Sequence, residues 1–383
     1  MTISNQDDVI SALTSGRVVH RESAKNITPA HTAGGWHSTM GLLGNPVQST
    51  FPGTSLLWQA CDEFSGDGTN VFGINHGGAP GGGMTKHILN VGMSLVAAAG
   101  APWQAKLVDL QGYYRLSGTD VTGTGSRTLI NSNTFTASSS SGLLLTYTND
   151  FVSGTKVRFT TTTTLPTGLS LATDYWLIRV SATTARVATS YENYVAGTAI
   201  AFTDAGTGTH TLTIQMGRYA NGVGCLASFV VGTAPTGGGP NLTASSYTNS
   251  AGTPGRAFSS SPTMGAAADA YAGRVLHSGN AAGRYGPFLP PASGDTGVAS
   301  IQSFTLSGGT AYTGSGVLGL CIARPILDLP PSATGQWTER ELVNQFPSFP
   351  KIEDGACLVW MLFGTGATTN LSPITSTFDF IWG

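Results

Sequence analysis

The stretch Phe151–Ile214, FVSGTKVRFTTTTTLPTGLSLATDYWLIRVSATTARVATSYENYVAGTAIAFTDAGTGTHTLTI, decides the fold class of this chain. Short β-branched and aromatic runs alternate in it with Gly, Pro, Asp and Ser segments, which is the pattern of antiparallel strands joined by turns. It shows no helical period. The predicted strands are Val157–Phe159 with the threonine run that follows, Tyr175–Val180, Ala185–Thr189, Thr198–Phe202 and His210–Ile214.

Further strand candidates flank this stretch on both sides. A Ser/Thr/Gly linker, Ser117–Ser141, leads into it, and the flanking candidates are Lys106–Arg115, Gly224–Val231, Val298–Leu306, Val317–Arg324 and Ala356–Phe363. Strands at this spacing with Pro/Gly connections predict a β-sandwich or jelly-roll body. We therefore expect an inserted module, residues 143–214, in one discontinuous body, residues 1–142 plus 215–383. Three units in series is the alternative.

Two short helices are predicted. The first spans residues 5–14 within an N-terminal arm, residues 1–16, with Ser4 as the N-cap and Asp7 completing the capping pattern. The second spans Glu339–Phe346, with a capping box that begins at Thr338 and prolines beyond its end. The predicted fold class is all-β: a jelly-roll or β-sandwich body with an inserted small Ig-like β-sandwich module and one or two short helices.

Several segments carry a resemblance to known proteins. The module resembles a β-sandwich unit that recurs in virion proteins of tailed bacteriophages, and the residues that carry this are Lys156–Thr160, Leu165–Leu169, Thr173–Val180 and Phe202–Leu212. A looser resemblance connects the body to tailed-phage structural proteins through Gly217–Gly222, Ala282–Pro290 and Asp354–Trp360. The module covers roughly one sixth of the chain.

The resemblance implies a structural protein of a tailed-phage particle. We expect it to bind the capsid exterior as a decoration or cement protein and to stabilise contacts between subunits. Its partners would be the major capsid protein and further copies of itself, as a homo-oligomer such as a trimer. It would reside in the virion, after assembly in the host cytoplasm. The alternatives are a tail component (tube, baseplate or fibre) and an adhesin that binds a host glycan.

The composition fits a protein that joins an assembly. Charged residues make up 10% of the chain, against roughly 25% in an average soluble domain, and the chain has 52 glycines. The net charge is −2 and the basic residues are scattered, which argues against direct binding of nucleic acid. The sequence shows neither a basic leader nor an apolar run near the roughly 18 residues that span a bilayer, so we expect no membrane partner and synthesis in the cytoplasm.

No motif for a metal or a cofactor stands out. The four cysteines form no CxxC pair and are expected to be reduced, buried and structural; they are Cys61, Cys225, Cys321 and Cys357. The histidine pairs His31 with His37, and His76 with His87, lack the spacing of a zinc motif, so we expect exposed polar histidines there. No cofactor is expected.

Catalytic signatures are also missing from the sequence. The glycine-rich run Asn75–Lys86 lacks the Gly-Lys-Ser/Thr order of a phosphate loop, so we expect a surface or interface loop. No serine has glycine at both the −2 and +2 positions. The adjacent acid pairs Asp62-Glu63 and Glu353-Asp354 flank turn-like segments and are expected to be solvated rather than a glycosidase pair. The chain is therefore not expected to be an enzyme.

The expected interface residues lie near both ends of the chain. They are Ile3, Val9, Ile10 and Leu13 at the start and Phe378, Phe380 and Trp382 in the tail. The tail, Ser376–Gly383, is expected to be an edge strand of its own body, with an arm that joins a neighbour's sheet as the alternative. The seven tryptophans could include a platform for a carbohydrate, although Trp58, Trp176 and Trp360 sit in apolar strands that favour core packing.

Overall fold

The computed structural model describes residues 3, 5–26, 34–46, 48–63, 72–78, 80, 83–95, 102–138, 144–265, 271–278, 286–314, 316–333, 335–343, 349–364 and 373–383. In these ranges the regular secondary structure is mostly β-strand, which confirms the all-β sandwich prediction. The helices are α1 (Gln6–Thr14), α2 (Thr119–Thr122) and α3 (Tyr191–Val195), with 3-10 turns at Thr39–Gly41, Ala220–Gly222 and Leu276–Ser278. None of the described helices is long and apolar enough to cross a membrane.

The strands follow in chain order. They are β1 (Val18–Asn26), β2 (Gly35–Ser38), β3 (Leu43–Asn45), β4 (Trp58–Ala60), β5 (Lys86–Leu95), β6 (Pro102–Ser117), β7 (Gly125–Thr128), β8 (Ser132–Ser138), β9 (Leu144–Tyr147), β10 (Lys156–Thr161), β11 (Tyr175–Ser181), β12 (Thr184–Ala188), β13 (His210–Ile214), β14 (Leu226–Thr233), β15 (Thr236–Gly237), β16 (Pro240–Asn249), β17 (Val298–Gly309), β18 (Tyr312–Gly314), β19 (Val317–Ala333), β20 (Trp337–Glu341), β21 (Lys351–Ile352), β22 (Leu358–Gly364) and β23 (Pro373–Trp382).

Two long paired strands, β6 and β19, organise the body. They lie at the centre of sheet 1, whose order is β14-β19-β6-β22-β2, with β4 added to β6. Successive strand residues point to opposite faces, and neighbours such as Leu107 and Val108 are both fully buried in different apolar clusters. Sheet 1 is therefore covered on both faces, which explains its continuous apolar runs.

Two further sheets share one face of sheet 1. Sheet 2 has the order β20-β5-β23-β1-β3, with β21 added to β5, and its Val91 and Phe378 join Leu107 of sheet 1 in one apolar cluster. Sheet 3, β16-β17-β7, packs on the other half of that face, where Phe304 lies in the same cluster as Leu116. The body is thus a β-sandwich built on the two long strands.

The inserted unit is a closed six-stranded barrel with the order β10-β11-β12-β9-β8-β13. Phe159, Leu177 and Leu212 are fully buried inside it. This corrects the expected Ig-like sandwich and its start at residue 143, because β8 begins at Ser132 within the segment that looked like a linker. Thr198–Phe202 forms no strand. The chain enters from β7 of sheet 3 and leaves toward β14 of sheet 1.

Of the two predicted helices, the structure contains the first but not the described part of the second. Helix α1 is present, but its cap is Asn5, whose side chain accepts from the Asp8 N–H, while Ser4 lies outside the described residues. The predicted helix Glu339–Phe346 is wrong over its described part, since Trp337–Glu341 is strand β20. Pairing with β5 supplies a full set of cross-strand partners there, and this tertiary pairing overrides the local capping signal. Residues 344–348 are outside the described ranges.

Candidate functional site

The outward-facing side of sheet 2 carries a compact set of polar groups around one tryptophan; we call it the tryptophan face. Its side chains form three rows across strands β20, β5, β23 and β1. The rows are Glu341, Asn90, Asp379 and His20; Glu339, Gly92, Thr377 and Glu22; and Trp337, Ser94, Thr375 and Ala24. Residues directly opposite each other on neighbouring strands are close enough to interact, so each row is a line of neighbours.

Alternation along β5 explains why these residues point outward. Val91 and Met93 are fully buried in the core of the sandwich. Asn90, Gly92 and Ser94 take the intervening positions and therefore face the other side of the sheet. The same alternation in β23 places Phe378 and Phe380 in the core and Thr377 and Asp379 outside.

Trp337 lies across Gly92. A Cβ built on Gly92 would be 2.3 Å from Cζ2, 2.7 Å from Cε2 and 2.9 Å from Nε1 of the indole, so only glycine permits this arrangement. Trp337 is 46% exposed, the largest fraction among the seven tryptophans, all of which lie in the described ranges. One side of the ring therefore covers the backbone at Gly92 and the other side is open to solvent.

Carboxylates predominate among the charged groups of this face. Asn90 donates from Nδ2 to Glu339 Oε1 at 2.5 Å, which holds that carboxylate beside Gly92. His20 Nδ1 lies 2.8 Å from Asp379 Oδ1, and this hydrogen bond raises the pKa of His20. The three rows contain the carboxylates Glu22, Glu339, Glu341 and Asp379 and no Lys or Arg. The face is therefore acidic within a chain that has few charges.

The glycine-rich run binds a carboxylate of its own chain. Glu63 Oε1 accepts hydrogen bonds from the backbone N–H groups of His76 at 2.6 Å, Gly77 at 2.8 Å and Gly78 at 3.2 Å. Lys86 Nζ lies 3.0 Å from His76 Nδ1 and donates to the His76 carbonyl at 2.8 Å. Such convergent N–H groups form an anion-binding nest. Because Glu63 fills it, an external phosphate has no place there.

This cluster corrects two sequence expectations. Asp62 and Glu63 are each 6% exposed, so they are buried rather than solvated turn carboxylates. His76 and His87 are also buried, because the loop folds inward to satisfy Glu63 and Lys86. Burial raises the pKa of Glu63, while burial and the charge of Lys86 hold the pKa of His76 well below its usual value. His37 is buried as well, and His31 lies outside the described residues.

The interface residues expected from the sequence divide into buried and exposed groups. Ile3, Val9, Phe378 and Phe380 are at most 5% exposed and belong to the core of the sandwich, so they are not part of an accessible surface in this structure. Phe378 and Phe380 are buried because β23 is an interior strand, between β5 and β1, rather than an edge strand or an arm. Val9 is buried on the inward side of α1. Trp382 is half-buried, with Lys86 Nζ 5.9 Å from its ring centroid.

Ile10 and Leu13 are the exposed members of that set. They are 56% and 46% exposed and lie three residues apart on α1, so their side chains are neighbours on one side of the helix. Val9 and Ala12 face inward and are buried. We call Ile10 and Leu13 the helix patch.

A groove of about 500 Å³ is a further concave feature. Trp36, Gln104, Pro330 and Pro331 contribute to its lining. Lys106 and Asp328, which also line it, form an ion pair with each other, so their charges are already matched.

Metal and thiol chemistry find no support in the described ranges. No group of three His, Cys, Asp or Glu side chains in that part of the chain is placed to hold a metal ion. Cys61, Cys225, Cys321 and Cys357 are buried and unpaired, as the sequence predicted.

Comparisons of the chain with protein families, with curated proteins and with solved structures find no match. The candidate site therefore rests on geometry alone. Sequence reasoning counted Trp337 among seven tryptophans without a reason to single it out. The signal that could have found it is the alternation of Trp337, Glu339 and Glu341, which suits one face of a strand, although the capping box at Thr338 favours a helix at the same place.

Proposed function

We propose that this chain is a structural component of a tailed-phage particle that binds the capsid exterior as a decoration or cement protein and stabilises contacts between subunits. The observation that carries the proposal is the likeness of Phe151–Ile214 to a virion module, together with the folding of residues 132–214, which include this stretch, as a closed barrel inserted in the chain between strands of two sheets of the body. Such a unit can be held away from the surface on which the body lies.

The mechanism is additive contact. A body with 10% charged residues loses little ion hydration when its loops lie on another protein surface. The helix patch is the contact we assign to this attachment. Burying two half-exposed aliphatic side chains contributes about 1.5–3 kcal/mol per copy. In a homo-oligomer such as a trimer, several such contacts act together and raise the overall avidity.

Co-sedimentation tests the proposal. Purified protein is mixed with empty heads and, separately, with isolated tails of the same phage. We expect saturable binding to heads and a rise in the temperature at which those heads come apart. Binding to tails alone would replace the proposal with a tail component, and binding to neither would refute a structural role in the particle.

A variant pair makes this test specific. The double change Ile10→Ser with Leu13→Ser is expected to weaken head binding by about tenfold to a hundredfold, the equivalent of about 1.4–2.8 kcal/mol. Leu171→Ser is the matched control, because Leu171 is 60% exposed on the barrel. Head binding that is equal for the double variant and the control would reject the helix patch as the contact.

A further inference from the structure

We propose that the tryptophan face binds a neutral saccharide, with one sugar ring stacked on Trp337 and its hydroxyl groups hydrogen-bonded to the side chains around it. This proposal is independent of the role in a phage particle, because it depends only on the outward side of sheet 2.

Stacking follows from the position of Trp337. The indole is supported from below by the backbone at Gly92 and leaves its other side open. An aromatic side chain of this size carries a large apolar surface that gains free energy when it is covered. A sugar ring has an apolar side made of C–H groups and a rim of hydroxyls, so it can cover the indole while its rim stays hydrated or hydrogen-bonded.

The surrounding rows supply the hydrogen bonds. Neighbouring strands are about 4.8 Å apart and successive outward residues on one strand about 7 Å apart. Trp337 lies at a corner of the three rows, so groups along β20 and across β5 and β23 lie within reach of one or two sugar rings stacked on it. Glu339 is two residues along the same strand, and Asn90 and Thr377 follow on the next two strands. Ionised carboxylates accept hydrogen bonds from several hydroxyls at once, and such charge-assisted bonds are the stronger ones.

Charge decides the class of ligand. The three rows hold four carboxylates and no Lys or Arg, so they repel phosphate, sulfate and uronate groups. A protein partner fits less well, because Glu and Asp are depleted at the centres of protein interfaces. An uncharged saccharide matches both the aromatic surface and the acceptor-rich surroundings.

The test uses the full-length chain. It is applied to an array of neutral oligosaccharides of glucose, galactose, mannose and N-acetylhexosamines, with heparin-derived oligosaccharides as anionic probes, and hits are titrated by calorimetry. We expect a neutral hit and no heparin binding. Trp337→Ala should lower the affinity at least tenfold, and Trp337→Phe should retain part of it. Glu339→Gln should also weaken binding, whereas Glu192→Gln, an exposed carboxylate on the barrel, should not.

Several outcomes would overturn the proposal: no neutral hit on the array, heparin bound more tightly than any neutral sugar, or unchanged affinity after Trp337→Ala. Melting curves of each variant establish that it is folded. Glu339→Gln preserves the shape of an exposed side chain, so it keeps the test valid even if Trp337→Ala disturbs β20. Unchanged affinity after Glu339→Gln would refute the assigned hydrogen bonding.

Discussion

Replacing Arg218 with methionine should destabilise the body by about 3–5 kcal/mol, because it leaves a buried carboxylate without its cation. Arg218 lies just beyond the barrel and pairs with Asp109 at the centre of β6. Its Nε donates to Asp109 Oδ2 at 2.8 Å and its Nη2 to Oδ1 at 2.7 Å. The two side chains are 8% and 0% exposed. Burial lowers the pKa of Arg218, but Asp109 raises it by more, so the guanidinium stays charged.

The size of the expected loss comes from the remaining partners. Arg218 also donates to the carbonyls of Cys61 at 2.8 Å and Leu110 at 2.6 Å, and both lose a donor in the variant. Asp109 keeps the Cys357 N–H at 2.9 Å. One backbone donor cannot replace a bidentate guanidinium, so the carboxylate stays under-solvated. The double variant Asp109→Asn with Arg218→Met removes the buried charge and should be more stable than Arg218→Met alone.

Urea unfolding followed by tryptophan fluorescence measures this effect, since Trp58, Trp103 and Trp360 are buried in the body. Lys351→Met is the control. Lys351 is 48% exposed and pairs with Glu353 at the surface, so its loss should cost no more than about 1 kcal/mol. If Arg218→Met loses as little unfolding free energy as the control, the buried pair does not stabilise the contact between β6 and the segment that follows the barrel.

Three further predictions concern the core, the pH response and the tryptophan face. Phe380→Ala should cost about 3–5 kcal/mol in urea unfolding, because this side chain is fully buried in an interior strand; a loss below 1 kcal/mol would mean that the tail is not part of the core. Burial and the nearby Arg274 lower the pKa of His277 to about 3, below its unfolded value, so stability is present above the unfolded pKa and should fall by about 3 kcal/mol from pH 7 to pH 4. His277→Leu should remove that part of the pH dependence. If the unfolding free energy of the variant falls as steeply between pH 7 and pH 4, the fall does not come from His277. Gly92→Ala should displace the Trp337 ring and abolish saccharide binding, with a change in unfolding free energy within about 1 kcal/mol, since the ring can move into solvent; retained binding would contradict the described stacking.

Much of the fold could be predicted from local sequence patterns. The predicted strand His210–Ile214 is β13, and Tyr175–Val180 is β11 within one residue, because regular alternation of apolar residues specifies a strand. Strand β8 was missed, since its inward Phe135 sits in a run of Ser and Thr that resembles a linker. The polar composition of this run therefore masks the alternation of inward and outward residues in β8, which can be recognised only once β8 is paired within the barrel.

The candidate site was harder to predict from the sequence, because it depends on the register between strands that are distant along the chain. Asn90 meets Glu341 on one side and Asp379 on the other, and Asp379 meets His20. Nothing in the local sequence specifies these pairings. The same holds for the pair of Asp109 with Arg218, whose members are separated by the whole barrel. Long-range pairing decides both, and local propensity carries no information about it.

Electron cryomicroscopy of heads incubated with the protein tests attachment to the capsid exterior most directly, because it shows where the protein binds. We expect added density on the outer surface of the shell, at repeated symmetry positions, into which the sandwich body fits with the barrel pointing away from the capsid. Heads that show no added density, or particles in which the same density lies in the tail, would contradict the assignment to the capsid exterior.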